Sequence, residues 1–418
     1  MLGDFPFIIF YMKSQEKIIL LVLALINFTN IIDVMVIAPM NPLLHQQFGT
    51  NPEEFGILVS SYALCAGVSG LLTSFVMDKY DRKLLLLLIY AGFAVGTFFC
   101  GLSNSYEQLL IARSITGLFG GVLFGLVMSI TSDVIPPERR GMGMGILMTS
   151  FSLASTFGVP LGLYLANKYF LQLPFFAIAG VAVLITLMIY VYIPPINSHL
   201  QAQTPQKSFG KTIEQIIFTP NQLLAVVFSF LMNFGQFVYI PFLSDYFVSN
   251  VGFTTDQLPL IYLVGGVCTF FTAPLVGKMV DKVGRVQILW VFGTLFLIPL
   301  YFCTNVGHVS MLVALLLIAA FFITNNGRVI ASSTITSMAA PAANRGSFMS
   351  FSATINSVGI GLGSYLGGVI ITKTPEGVVE HYNVVGYIAI AVGVLVMWLG
   401  SRIRNAEGEA THTVLGHE

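Results

Sequence analysis

An all-α membrane protein of twelve transmembrane helices, arranged as two six-helix bundles, is the fold this sequence predicts, and three observations predict it. The 418 residues are 56% hydrophobic and only 9% charged, with a mean hydropathy of +0.84, far above that of a soluble domain. Twelve apolar segments are each long enough for a bilayer core about 30 Å thick, which needs roughly 20 helical residues. Several short patterns in the first half of the chain recur in the second.

The apolar segments fall near 17–40, 56–77, 84–103, 107–132, 142–165, 170–193, 221–245, 257–279, 286–305, 309–335, 347–371 and 382–402. Glycines and prolines inside such long runs do not fit the alternating ten-residue strands of an outer-membrane barrel. The first eleven residues, "MLGDFPFIIFY", are too short to span and lack a basic start and a cleavage site, so they do not read as a signal peptide. Met12 reads as the expected initiator, running directly into the first span.

Basic residues are retained on the cytoplasmic side of a membrane. With both termini inside, fifteen lysines and arginines fall on that side, and only Lys168 and Lys373 fall outside. The expectation is a multi-pass plasma-membrane protein, placed in the inner membrane if the source is a Gram-negative bacterium. A net charge of zero argues against a nucleic-acid partner, and no P-loop points to direct use of ATP. Cys65, Cys100, Cys268 and Cys303 lie in spans without metal-ligand spacing and read as packing residues. With no nucleophile, base and metal at matching depths, an enzyme is not expected.

The repeat is specific. Asp78, Lys79 and Arg82 of "SFVMDKYDRK" fall on Asp281, Lys282 and Arg285 of "GKMVDKVGRV" at a separation of 203 residues, which also carries Cys65 onto Cys268 and Cys100 onto Cys303. At 205, "ITSDVIPPERRG" meets "ITSMAAPAANRG". The chain therefore divides into an N-terminal bundle (1–193), a polar cytoplasmic linker (194–219), a C-terminal bundle (220–404) and a cytoplasmic tail (405–418).

Twelve spans as six plus six, with a basic loop after the second and the eighth, resemble the major facilitator superfamily. Its loop signature, Gly-x-x-x-Asp-(Arg/Lys)-x-Gly-Arg-(Lys/Arg), is matched in the second copy by Gly277, Asp281, Lys282, Gly284 and Arg285, while the first has Ser74 and Asp81 where glycines are usual. The resemblance implies that these loops gate, clamping the cytoplasmic side in the outward-open state. It is nearest the drug:proton antiporter branch and its sugar-efflux relatives, through Arg113 and Gly117 in "ARSITG" and through "GVPLG" at Gly158 to Gly162. The second-half counterpart "GSYLG" lacks proline, so a bend at Pro160 is expected in one half only.

An ionisable group inside the bilayer costs at least about 2.5–3.5 kcal/mol and is a functional hypothesis by default. Of nineteen acids, Asp33 alone lies well within a span. It follows Asn27 and Asn30 at three-residue steps, on one face of the helix. The 203-residue offset puts Asn30 on Asn233 and Asp33 on Gln236, so one half carries an acid where the other carries a neutral amide. Counted at 1.5 Å per residue from the cytoplasmic ends, Asp33 lies roughly 24 Å up the first span and Arg113 roughly 28 Å up the fourth. At Asp33, burial favours the neutral acid and a nearby arginine favours the carboxylate. The two residues are expected to couple a proton to transport, although a purely structural pair stays open. No histidine lies at that depth to carry the proton instead.

Arg328, with Asn325 and Asn326, makes the tenth span polar near its inner third. It is not the repeat mate of Arg113, since 205 residues back lies Leu123. Either it binds an anionic group of the substrate or it snorkels to the cytoplasmic edge. Asn27, Asn30, Asn233, Gln236, Tyr239, Asn325, Asn326 and Arg328 are the expected cavity residues, although in a chain that is 13% aromatic packing is the favoured account of Tyr239. The expected function is secondary active transport of a small molecule by alternating access, as a monomer, most simply proton-coupled efflux of a drug-like compound or sugar. No cofactor beyond the coupling proton is expected. A nutrient uniporter or symporter, and a non-transporting receptor or scaffold, remain the alternatives.

Overall fold

The computed structural model describes residues 14–74, 79–136, 139–197, 214, 216, 218–341 and 345–406. Among them, twelve helices are long and apolar enough to cross a membrane. In the first half these are α1 (Gln15–Val36), α2 (Pro52–Thr73), α3 (Arg82–Leu102), α4 (Tyr106–Val134), α5 (Met142–Lys168) and α6 (Leu173–Tyr192). In the second they are α7 (Pro220–Val251), α8 (Thr255–Val283), α9 (Arg285–Asn305), α10 (Met311–Met338), α11 (Arg345–Ile370) and α12 (Tyr382–Arg402). Met12, Asp78, most of the 194–219 linker and the tail from 407 lie outside the described residues.

Side-chain caps fix several starts by satisfying amides that the first turn leaves free. Ser105 accepts from the Gln108 amide at α4, and Ser310 accepts from the Val313 amide at α10. Helix α1 stops at Val36, short of the expected residue 40, because a turn at Ile37–Met40 accommodates Pro39, which has no amide to donate. Helix α7 runs past its expected end. It passes through a 3₁₀ turn at Ile240–Phe242 around Pro241 and a π turn at Phe247–Val251, then stops at Gly252 with φ +94°. The π turn Ala154–Gly158 in α5 stands directly before Pro160, whereas its counterpart α11 is unbroken, so the irregularity does belong to one half.

Small residues let the helices approach closely. A Cβ added at Gly117 of α4 would sit 2.5 Å from the carbonyl oxygen of Tyr62 on α2. Gly117→Leu is therefore expected to force these helices apart, at a cost of at least about 1–3 kcal/mol. A thermal melt of the purified protein should record a clear loss, while Gly125→Leu, where nothing lies within 4 Å, should melt as the parent does.

The two halves meet along α2 with α11 and along α5 with α8. Ser60 Oγ donates to the carbonyl of Gly361 at 2.6 Å, and Thr156 Oγ1 donates to that of Gly266 at 3.0 Å. At the end away from the basic loops, Asn41 Nδ2 donates to the Pro241 carbonyl, Ser244 Oγ donates to that of Ala38, and Phe55 meets Phe242 edge to face at 5.9 Å. Every hydrogen bond between described residues of opposite halves lies at mid-height or toward that far end. The molecule is thus closed there. On the same side a hairpin of β1 (Thr372–Lys373) and β2 (Val379–Glu380) lies over α7, held by the ion pair of Lys373 with Asp245 at 2.9 Å.

Candidate transport site

Asp33 and Arg113 meet. Arg113 Nη1 donates to Asp33 Oδ2 at 2.7 Å and to the Asp33 carbonyl at 3.2 Å, with Asp33 wholly buried and Arg113 1% exposed. Their side chains bridge α1 and α4 near the depths that the 1.5 Å rise gave each residue. Thr97 of α3 donates to the other carboxylate oxygen at 3.4 Å. Tyr62 of α2 lies face-on to the guanidinium, whose central carbon is 4.3 Å from the ring centroid, and its hydroxyl donates to Asn30 Oδ1 at 3.4 Å. Four helices of one half therefore converge on one ion pair, from which water is excluded in this state. Arg113 Nε remains without a hydrogen bond.

Tyr62 and Thr97 were not legible in the sequence, where α2 and α3 read as apolar spans with scattered hydroxyl residues; the one usable signal was that each is a polar side chain at mid-span. Tyr62→Phe keeps the ring over Arg113 and loses the hydroxyl contact to Asn30, whereas Tyr62→Leu loses both. A cation–π contact out of water contributes about 2 kcal/mol, so Tyr62→Leu is expected to slow pH-driven transport by roughly tenfold or more. Tyr62→Phe should stay within about threefold of the parent.

The other polar positions divide into two groups. Asn27 Nδ2 donates to the Leu147 carbonyl on α5, and Asn30 Nδ2 donates to the Gly120 carbonyl on α4, so in this state both tie helices together within their own half. Asn233 donates to the Ser229 carbonyl of its own helix. Gln236, the repeat mate of Asp33, is half-buried, and its amide makes no hydrogen bond to a described residue. Tyr239 lies in the core of the second half. Its ring packs edge to face on Phe321 at 5.9 Å and its hydroxyl is buried without a hydrogen bond.

Arg328 is 4% exposed and does not reach the membrane edge. Nη2 donates to Asn325 Oδ1 at 3.0 Å, and the guanidinium lies 4.2 Å from the ring centroid of Phe296 on α9. The snorkelling alternative is therefore corrected: the side chain turns into its bundle, among α7, α9 and α10. Asn326 is half-buried and its Nδ2 has no partner.

The basic loops after α2 and α8 differ in backbone, and residue type is the cause. Gly284 stands at φ +109°, a conformation that side chains rarely adopt, whereas Asp81 at the matching position has φ −58° and caps α3 by accepting from the Lys83 and Leu84 amides. Arg82 pairs with Asp133 of α4 within its own half. Arg285 Nη1 donates to Met338 Sδ at 2.8 Å. Lys79, Asp281 and Lys282 are exposed and make no ion pair with a described residue. Beside Gly277 there is open space, since nothing would meet a Cβ there within 4 Å.

Twelve helices in two like halves that touch along two seams, with an ion pair sealed inside one half, are the architecture of membrane carriers whose halves move against each other. The profile of the Major Facilitator Superfamily matches residues 23–267 and again 225–415, and the chain belongs to that superfamily. It is a multi-pass membrane protein and a secondary active transporter of a small molecule, not an enzyme. Over 373 residues it is 26% identical to the uncharacterized MFS-type transporter YwfA of Bacillus subtilis, covering 86% of each chain. It is 24% identical to a probable sugar efflux transporter of Helicobacter pylori, covering 85% of this chain and 87% of that protein. Among solved structures it resembles a D-xylose-proton symporter with a TM-score of 0.73 at 18% identity, over 93% of this chain and 97% of the other.

Proposed function

We propose that this chain exports a small molecule, a drug-like compound or a sugar, in exchange for protons, acting as a monomer with both termini and the basic loops in the cytoplasm. One observation carries the reading: the acid at mid-span, Asp33, is wholly buried, is held by a single arginine and has a neutral amide as its counterpart in the other half. One titrating site suffices for one coupling proton. With the basic loops inside, the closed end is the outer one, and in the exchange cycle the paired carboxylate is the form of Asp33 left after its proton has gone inward. The likeness to a probable sugar efflux transporter favours export. The amide of Gln236, half-buried and without a hydrogen bond to a described residue, is the group expected to hydrogen-bond cargo when the halves part.

An inward proton crossing about 100 mV yields about 2.3 kcal/mol, and one pH unit adds about 1.4 kcal/mol. Together these sustain a several-hundred-fold gradient of neutral cargo. The test is transport in proteoliposomes with an imposed pH gradient. Cargo moving against the proton supports antiport. Movement with the proton would make the chain a symporter, and flux indifferent to pH would make it a uniporter.

A further inference from the structure

Three basic side chains are buried among the described residues: Arg82, Arg113 and Arg328. Arg82 faces Asp133 and Arg113 faces Asp33, whereas Arg328 has no carboxylate of a described residue within 4.0 Å. The asymmetry has a chemical consequence. A guanidinium withdrawn from water without an anion keeps most of its desolvation cost, and the face of Phe296 and the Asn325 carbonyl oxygen offset only part of it. Arg328 Nε has no hydrogen-bond partner.

The surroundings are built for more than a cation. The buried Tyr239 hydroxyl lies within hydrogen-bonding reach of Arg328 but closes no hydrogen bond of good geometry. Across the bundle, Gly393 of α12 leaves a gap no larger than a methyl group beside Nη1, since a Cβ added there would lie in ordinary contact, 3.6 Å from Leu297 Cδ2 and 3.8 Å from Nη1. Phe296 and Phe321 close the site with apolar walls, their ring centroids 5.3 Å apart. The corresponding position in the first half is Leu123, itself buried, so the fold packs a plain hydrocarbon at this place and does not need an arginine for its architecture.

We propose that Arg328 and Tyr239 form an anion site inside the C-terminal half. Its ligand is a small monovalent anionic group whose oxygens or halide accept from the unpartnered guanidinium N–H and from the tyrosine hydroxyl. Two sources supply that chemistry: a carboxylate carried by the cargo, which rests on the transport reading above, or a halide resident in the bundle. In either case the anion supplies the charge that Asp33 supplies to Arg113.

The test is the melting temperature of the purified full-length protein, titrated separately with sodium benzoate and sodium chloride, with ionic strength held constant by a bulky sulfonate salt. At least one of the two anions is expected to stabilise the protein saturably. Arg328→Gln should need at least tenfold more of it, and Arg328→Lys should retain part of the response. Stabilisation by chloride alone identifies a resident halide. Stabilisation by benzoate, together with competition by benzoate for transport, identifies a cargo carboxylate. If neither anion shifts the parent protein, or if Arg328→Gln responds as the parent does, the proposal is overturned. Because this is equilibrium binding with no pH gradient applied, its failure leaves proton coupling standing, and a failure of proton coupling leaves it standing.

Discussion

Asp33→Asn is expected to abolish transport driven by a pH gradient while leaving the protein folded. The asparagine carbonyl still accepts from Arg113 Nη1, which donates to Asp33 Oδ2 at 2.7 Å in the parent, and Thr97 retains an acceptor or donor partner. What the substitution removes is the proton. In proteoliposomes with an inward proton gradient, concentrative movement of cargo should fall at least a hundredfold, whereas downhill exchange of labelled for unlabelled cargo should persist. Arg113→Ala is the complementary case. It strands Asp33 as a buried acid without its cation, and breaking such a pair costs about 3–5 kcal/mol. That variant should therefore lose melting temperature as well as coupling, and the contrast separates the two roles.

The second large effect concerns the seam between the halves. A Cβ added to Gly266 of α8 would lie 2.5 Å from Thr156 Cα on α5, and one added to Gly56 of α2 would lie 2.6 Å from the Ser364 carbonyl oxygen on α11. Both contacts exist while the far end is closed. Leucine at either position should therefore destabilise this state by about 1–3 kcal/mol without a matching penalty in the state where that end has parted. A bias of that size shifts the population by roughly 5- to 150-fold. Spin labels at Lys168 and Asp256, which face each other across the far end of the α5–α8 seam, report it. With Cys65 and Cys268 replaced by serine, the closed, short-distance population should dominate in the parent, and Gly266→Leu should move most of it to longer distances. An unchanged distribution would mean that this seam does not part during transport.

Much of this was written in the sequence, because a bilayer enforces simple rules. The twelve segments were legible from length and hydropathy, and their errors have local causes. Pro39 ends α1 early, and the 3₁₀ and π turns around Pro241 and Phe247 let α7 run on to Val251. The meeting of Asp33 with Arg113 was legible because depth along a straight helix is arithmetic, and a buried charge demands a partner. Rotation of a helix about its own axis is not arithmetic. Asn27 and Asn30 share a face with Asp33, yet they are turned onto the backbones of α5 and α4, and Arg328 points into its own bundle. Those orientations depend on which neighbours each helix packs against. The glycines at 117 and 120, which bring α4 against α2 and Tyr62, set them through close approach rather than through any periodic signal. The loop after α2 could not be placed by pattern either, since Asp81 replaces the usual glycine and makes a cap instead of a positive-φ turn.

The central claim is that a proton travels through Asp33 against the cargo. It is tested most directly by recording both fluxes in the same proteoliposomes, with a pH-sensitive dye inside and labelled cargo outside, at zero initial pH difference. Downhill entry of cargo should drive protons out and raise the internal pH in the parent protein, and Asp33→Asn should move cargo with no pH change. Cargo entry that leaves the internal pH unmoved in the parent, or an equal rise in Asp33→Asn, would contradict it.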